Sequence, residues 1–112
     1  QNKSLLVFKG PEYDKLSINE KKFLLNNSFT ISNENNRMAY KMKEKLKNKL
    51  RSIITSPVLP GTVQLTPGGE IIILMRDCQV TGGYPRIFQL DEESINNIAQ
   101  KKTNDIIKFK II

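Results

Sequence analysis

The residues best able to do chemistry crowd into one stretch, RDCQVTGGYPR at positions 76–86. Gly82-Gly83 lets the backbone come close to a ligand and lets amide N–H groups converge on an anion or oxyanion. Gln79 and Thr81 can hydrogen-bond an amide or a carboxylate. Tyr84 offers a flat apolar face and a hydroxyl. Arg76 and Arg86 flank the loop and could pair with Asp77 or hold a carboxylate. The same residues also suit a tight turn pinned by an Asp–Arg pair, and at this point both readings stand.

The chain has no histidine and one cysteine. That excludes Ser-His-Asp and Cys-His catalysis within the chain. It also excludes histidine-based zinc sites and thiolate cages, so no metal is expected. Chemistry here must come from carboxylates, lysines, arginines, tyrosines, amides and backbone groups, or from a partner. Cys78 reads as a small inward-pointing side chain rather than a nucleophile. It cannot form an internal disulfide, and the opening QNKSLLVFKG lacks the pattern of a secretory leader. A reducing cytoplasm is the expectation. The longest apolar run, Ile71–Met75, is far short of the ~18 residues of a membrane span.

The elements that position the loop can be read from pattern. Leu5–Phe8 reads as a strand ended by Gly10-Pro11. Ser17-Ile18-Asn19-Glu20 is a capping box, which predicts a helix from Ile18 to about Leu25. Phe29–Ser32 and Arg37–Tyr40 read as strands joined by an Asn-rich turn at 33–36. PVLPGT at 57–62 is a break. Val63–Leu65 and Ile71–Met75 form a hairpin around Pro67-Gly68-Gly69, with Gly68 free to take positive φ. Ile87–Leu90 is a short strand. Asp91 caps a second helix with Glu92 and Glu93 at its positive end and Lys101 and Lys102 at its negative end. Ile95, Ile98 and Ala99 make its apolar face, and Ile107, Phe109 and Ile111 alternate along a last strand. Six or seven short strands and two short helices, not regularly alternating, predict a mainly β, closed or nearly closed barrel in a single domain. The chain opens directly on a strand, as a segment of a longer protein would.

The formal charge is +7, and the window 41–51, KMKEKLKNKLR, holds +5 of it. As a strand it would put all six cations on one face; as a helix it would leave a narrow apolar stripe of Met42, Leu46 and Leu50. Tyr40 is the one stacking aromatic nearby and no nucleic-acid motif is visible. The stretch therefore reads as a solvated basic edge or an anion- or partner-facing surface, with no nucleic acid and no membrane as partners.

Three spaced motifs carry a resemblance. They are Pro60-Gly61-Thr62-Val63-Gln64, the Asp77-x-Gln79-x-Thr81-Gly82-Gly83-Tyr84-Pro85 loop, and Asn36-Arg37-Met38-Ala39-Tyr40-Lys41-Met42, with LLVFKGPEYD ahead of them. Together they resemble the C-terminal half of the biotin-dependent carboxyltransferase family. Its members include allophanate hydrolase subunit 2, the C-type subunit of 5-oxoprolinase, the KipI antagonist, and the matching domain of urea carboxylase. The chain departs from the family pattern at Ala39, Lys41, Lys43-Glu44 and Val80.

The resemblance implies a cyclophilin-like β-barrel, in this case the C-terminal half of a longer bacterial, cytoplasmic subunit. It implies a role in an amide- or lactam-processing complex with a sister protein, either allophanate hydrolase subunit 1 or the B-type subunit of 5-oxoprolinase. Carboxybiotin on a carrier and ATP would be used by the full complex, with neither held by this chain alone and the chain inactive alone. The site it implies has Arg37, Tyr40 and Asp77 as catalytic residues. Asn36, Gln79, Thr81, Gly82, Gly83, Tyr84 and Pro85 would bind substrate. Arg37 and the Gly82-Gly83 amides suit a developing oxyanion. Asp77 would orient a ring N–H or the arginine, and Tyr40 and Tyr84 would wall a heterocycle or relay a proton. The other role the resemblance allows is a regulator of the KipI-antagonist type, binding a sister protein in a sensor-kinase pathway.

Overall fold

A computed structural model describes residues 4–112. Ten strands, two α-helices and a short 3-10 turn at Tyr13–Lys15 are present among them: β1 Leu5–Lys9, α1 Ile18–Asn26, β2 Phe29–Asn35, β3 Ala39–Lys45, β4 Ser56–Pro57, β5 Thr62–Leu65, β6 Glu70–Leu74, β7 Thr81–Gly82, β8 Arg86–Leu90, α2 Glu92–Ala99, β9 Ile106–Ile107 and β10 Phe109–Ile111. Eight of the strands make one sheet in the order β10-β1-β8-β5-β6-β3-β2-β9. Its two ends, β9 and β10, are consecutive pieces of one segment broken at Lys108. That segment pairs antiparallel with β2 (Phe29 opposite Ile107) and parallel with β1 (Leu5 opposite Phe109). At the break the Lys108 carbonyl accepts a hydrogen bond from Leu5 N (2.7 Å). The sheet thus closes on itself, and the fold is a mainly β, cyclophilin-like barrel with two short helices.

The interior is aromatic. Phe29, Phe88 and Phe109 are fully buried, with ring centroids 5.6 Å (Phe29–Phe109) and 5.2 Å (Phe88–Phe109) apart. Each side chain of this size contributes roughly 1.5–3 kcal/mol through burial. Val63, Leu65, Ile71, Ile73 and Ile87 complete the packing. No helix among the described residues is long and apolar enough to cross a membrane.

Local chemistry explains the helices. Ser17 Oγ accepts from Glu20 N (3.1 Å) while Glu20 Oε1 accepts from Ser17 N (2.8 Å), the reciprocal capping box that starts α1. Asp91 Oδ1 accepts from Ser94 N (2.8 Å) and starts α2. Ser94, not Ala99, shares the buried face of α2 with Ile95 and Ile98. The reason is the Ser94 hydroxyl, which accepts from Leu6 N (2.8 Å) and ties the helix to β1, leaving Ala99 exposed. Lys101 and Lys102 fall beyond the last turn, because the helix stops at Ala99.

Several expected boundaries move. The Asn-rich turn lies later than 33–36: β2 continues to Asn35, and the reversal falls at 36–38. Asn36 sets it, its Oδ1 accepting from Met38 N (2.8 Å) and Ala39 N (3.1 Å). In the β5–β6 hairpin Gly69, not Gly68, takes the positive φ, at 94°. Gly69 N donates to Thr66 O (2.9 Å), which closes the turn over Pro67-Gly68 and moves the left-handed position one residue later. The basic window is strand only to Lys45 and irregular from 46 to 55, yet it keeps the strand's alternation: Met42 and Leu46 are buried while Lys43, Lys45, Lys47, Lys49 and Arg51 are exposed. The break at 57–62 and the loop at 76–86 each adjoin or contain a strand the sequence did not signal. β4 and β7 pair with each other (Ser56 opposite Gly82, Pro57 opposite Thr81) as a separate two-stranded ribbon.

Candidate functional site

The turn at 36–38 is laced to the end of β6. Asp77 N donates to Arg37 O (3.0 Å) and Met75 N donates to Met38 O (2.9 Å). This brings Arg37 Nε within 3.0 Å of Asp77 Oδ2, with the side chains 87% and 50% exposed. Both charges thus face solvent while their backbones are fixed. Beside them is a cavity of about 300 Å³ lined by Asn36, Arg37, Tyr40, Met75, Arg76 and Ala99, at the small end of ligand sites. Tyr40 is buried there, and its hydroxyl lies 3.2 Å from the Lys101 carbonyl and 3.4 Å from that of Ala99. The phenol proton is engaged by backbone, so Tyr40 serves the cavity as a wall. Asn36 spends its carbonyl oxygen on the turn.

The flanking arginines do not pair with Asp77. Arg76 reaches Glu92 and Asn96 on α2. Arg86 is forked onto Glu12: its N and Nε donate to Oε1 (2.8 and 2.9 Å) and Nη2 donates to Oε2 (2.9 Å). Its remaining Nη1 donates to Pro57 O (2.9 Å) on the ribbon. The hydrogen bonds from Arg86 hold the Glu12 carboxyl below its usual pKa, against the opposing effect of burial. The pairing of Glu12 with Arg86 escaped the sequence analysis, which placed Glu12 only within the LLVFKGPEYD segment: the two are 74 residues apart.

Gln79, Thr81, Gly82, Gly83, Tyr84 and Pro85 sit on or beside the ribbon, and none of them lines the Arg37 cavity. Gln79, Thr81 and Tyr84 are exposed, Gly82 and Gly83 half-buried, and Pro85 buried. The ribbon's own hydrogen bonds include Val58 N to Val80 O (3.1 Å) and Ile53 N to Gly83 O (2.8 Å). A side chain at Gly82 would displace Gln64: a Cβ there would meet the Gln64 carboxamide nitrogen at 2.7 Å. Cys78 is half-buried and its thiol pKa is raised, by burial first and then by Asp77, so it is a poor nucleophile. No group of three His, Cys, Asp or Glu able to hold a metal occurs among the described residues.

The expected site residues therefore fall into two clusters joined by a short stretch of chain. One is a charged pair beside a small cavity, able to donate to an oxyanion and to accept from an N–H. The other is a glycine-rich ribbon carrying exposed amide, hydroxyl and phenol groups.

The family described as carboxyltransferase domain, subdomain A and B, matches residues 1–111. The C-type subunit of 5-oxoprolinase from Escherichia coli K12 is 32% identical over 102 residues, covering 89% of this chain and 33% of that protein. The protein of the same name from Haemophilus influenzae is 31% identical over 104 residues, covering 90% and 33%. The chain spans about a third of the length of these relatives. In fold, the crystal structure of Kluyveromyces lactis urea carboxylase superposes with a TM-score of 0.90 at 18% identity, covering 100% of this chain and 11% of that one.

Proposed function

The chain belongs to the carboxyltransferase domain family, subdomain A and B, and from that premise we propose that it is the C-terminal half of a protein resembling the C-type subunit of 5-oxoprolinase. In this reading it works within a multi-subunit complex that processes an amide or lactam, with 5-oxoproline and urea as the first substrates to test. The sequence identity to two 5-oxoprolinase subunits of that type carries the reading. No observation favours the regulatory alternative.

The chemistry of the Arg37–Asp77 pair suits the task. Carboxyl transfer to nitrogen, or opening of a lactam, needs a developing negative oxygen to be stabilised and an N–H to be held. The Arg37 guanidinium donates to the oxygen. Asp77 accepts from the N–H and aims the guanidinium. Tyr40 walls the cavity with its ring, and Asn36 shapes the turn that presents Arg37. Gln79, Thr81 and Tyr84 meet the substrate from the ribbon side, the Gly82-Gly83 backbone approaches it closely, and buried Pro85 anchors the ribbon's exit.

The same pair fits biotin, whose ureido group carries one carbonyl acceptor between two N–H donors. When bound, biotin would supply a transferable carboxyl group. ATP use is assigned to the partner subunits. The cleft is completed by chain outside this domain and by a sister subunit, so the domain alone is inactive.

The test uses the full-length protein purified with its partner subunit. ATP-dependent release of glutamate from 5-oxoproline is measured for wild type, Arg37→Ala and Tyr84→Ala. Arg37→Ala should lower kcat/KM by about 10²-fold, as loss of an oxyanion donor does. Unchanged turnover in both variants removes the site assignment. Absence of ATP-dependent turnover of 5-oxoproline and of urea by the wild type refutes the function.

A further inference from the structure

Gln64 holds the one buried side-chain polar atom without a hydrogen-bond partner among the described residues, its carboxamide nitrogen. The residue lies on β5 and is 2% exposed. Val63 and Leu65 point into the core, so Thr62, Gln64 and Thr66 share the opposite face. Both threonine hydroxyls have hydrogen-bond partners. Thr62 Oγ1 donates to Gln89 Oε1 (2.8 Å) and accepts from Leu59 N (3.0 Å), and Thr66 Oγ1 accepts from Glu70 N (3.0 Å). Gln64 breaks the row. Native proteins rarely enclose an amide donor without an acceptor, and such a donor calls for a partner such as a ligand or a water.

The ribbon lies directly over this amide. A Cβ added at Gly82 would stand 2.7 Å from the Gln64 nitrogen, 3.6 Å from the Gln79 nitrogen and 3.6 Å from Val58 Cγ1. The Gln64 carboxamide therefore takes the space a side chain at 82 would fill, with the Gln79 carboxamide and a Val58 methyl nearby. The charged neighbour on β8, Arg86, is Gln64's register partner and is already satisfied by Glu12. What remains is a buried neutral donor at Gln64 with the exposed Gln79 carboxamide nearby, which suits a neutral carbonyl oxygen. The ribbon that covers Gln64 has strands of only two residues, and two-stranded ribbons are marginal by themselves.

We propose that Gln64 is a substrate-binding residue whose carboxamide donates to the carbonyl oxygen of an amide-, urea- or lactam-type ligand entering beneath the β4–β7 ribbon. This rests on the functional reading above and adds to it a second recognition point, distinct from the Arg37–Asp77 pair. It also gives a reason for the glycine at 82, whose missing side chain leaves room for the Gln64 carboxamide itself.

The experiment compares wild type, Gln64→Met and Gln64→Leu in the full-length protein with its partner subunit. Three quantities are read: melting temperature, turnover of 5-oxoproline, and calorimetric binding of 5-oxoproline and urea. Both substitutions remove the donor and keep an apolar chain of similar bulk. The melting temperature should rise by a few degrees, because an unpartnered buried amide has been removed. Turnover should fall by about 10²-fold, and binding of the ligand should weaken alongside it. Unchanged turnover and binding would overturn the proposal. So would a melting temperature below wild type in both variants, since the amide would then be bonded within the fold. Wild type that binds neither probe also overturns it. Wild type that binds a probe without turning it over defeats the enzymatic reading alone, and Gln64 is then judged by whether Gln64→Met loses that binding.

Discussion

Replacing Glu12 by Gln tests how the loop at 76–86 is anchored. The side chains of Arg86 and Glu12 are 17% and 10% exposed, so solvent screens their pairing little. Three of the Arg86 N–H groups end on the Glu12 carboxylate at 2.8–2.9 Å. Glutamine keeps the shape but turns one acceptor into a donor facing Nη2 and leaves a buried guanidinium without its counter-charge. Breaking a buried pair in this way costs about 3 kcal/mol. Unfolding 112 residues carries an entropy of about 0.24 kcal/mol/K, so the melting temperature should fall by about 13 °C. Circular dichroism melts at neutral pH read this directly. The pH dependence gives an independent check. The folded-state pKa of Glu12 lies below its ordinary value, so the pair's contribution is fully present above the ordinary carboxylate range. It is lost as pH falls from there through the lowered folded-state pKa, because the unfolded chain takes up the proton first. Glu12→Gln should remove that part of the acid sensitivity, so its melting temperature declines less steeply on acidification than that of wild type. A variant melting within about 3 °C of wild type, with the same acid dependence, would refute the argument, since that shift is under 1 kcal/mol.

Two further outcomes follow from local chemistry. Asp91→Ala removes the α2 cap and should cost about 1 kcal/mol, read as a fall of about 4 °C in a thermal melt; Asp91→Asn should recover most of it. Cys78, with its thiol pKa raised by burial, should react with iodoacetamide at pH 8 more slowly than an unfolded control, and equal rates would show the thiol to be free and exposed.

What the sequence made legible was local. The Ser17–Glu20 capping box and the Asp91 cap operate over three residues, and both appear as expected. The motif at 36–42 and the loop at 76–86 signalled Arg37 and Asp77 separately, and the fold brings the two side chains to a 3.0 Å contact. The partners of Arg76 and Arg86 were not legible, because Glu92 and Glu12 are brought near by barrel closure and not by spacing. Nor was the β4–β7 ribbon: two-residue strands have no periodicity to detect, and their pairing spans 26 residues from Ser56 to Gly82. Gly69 in place of Gly68 is a difference between two hairpin turns that the same Pro-Gly-Gly tripeptide can build. Tyr40 looked available for proton transfer, and only the position of the α2 exit shows its hydroxyl engaged.

The join at Lys108 bears on how the molecule is made. β1 is made before the other strands of this sheet, yet its hydrogen-bonding neighbours are β8, beginning at Arg86, and β10, beginning at Phe109. While the intervening residues are being made, the Leu5–Lys9 strand lacks both of its native neighbours, a condition that favours pairing with the wrong one. Folding must wait for contacts between distant parts of the chain, which places the domain among slow folders. Phe109 then enters beside Phe29 and Phe88 as the barrel shuts. Loss of the residues after Lys108 would thus do more than shorten a strand: it would leave the newly made chain with its seam permanently unsewn.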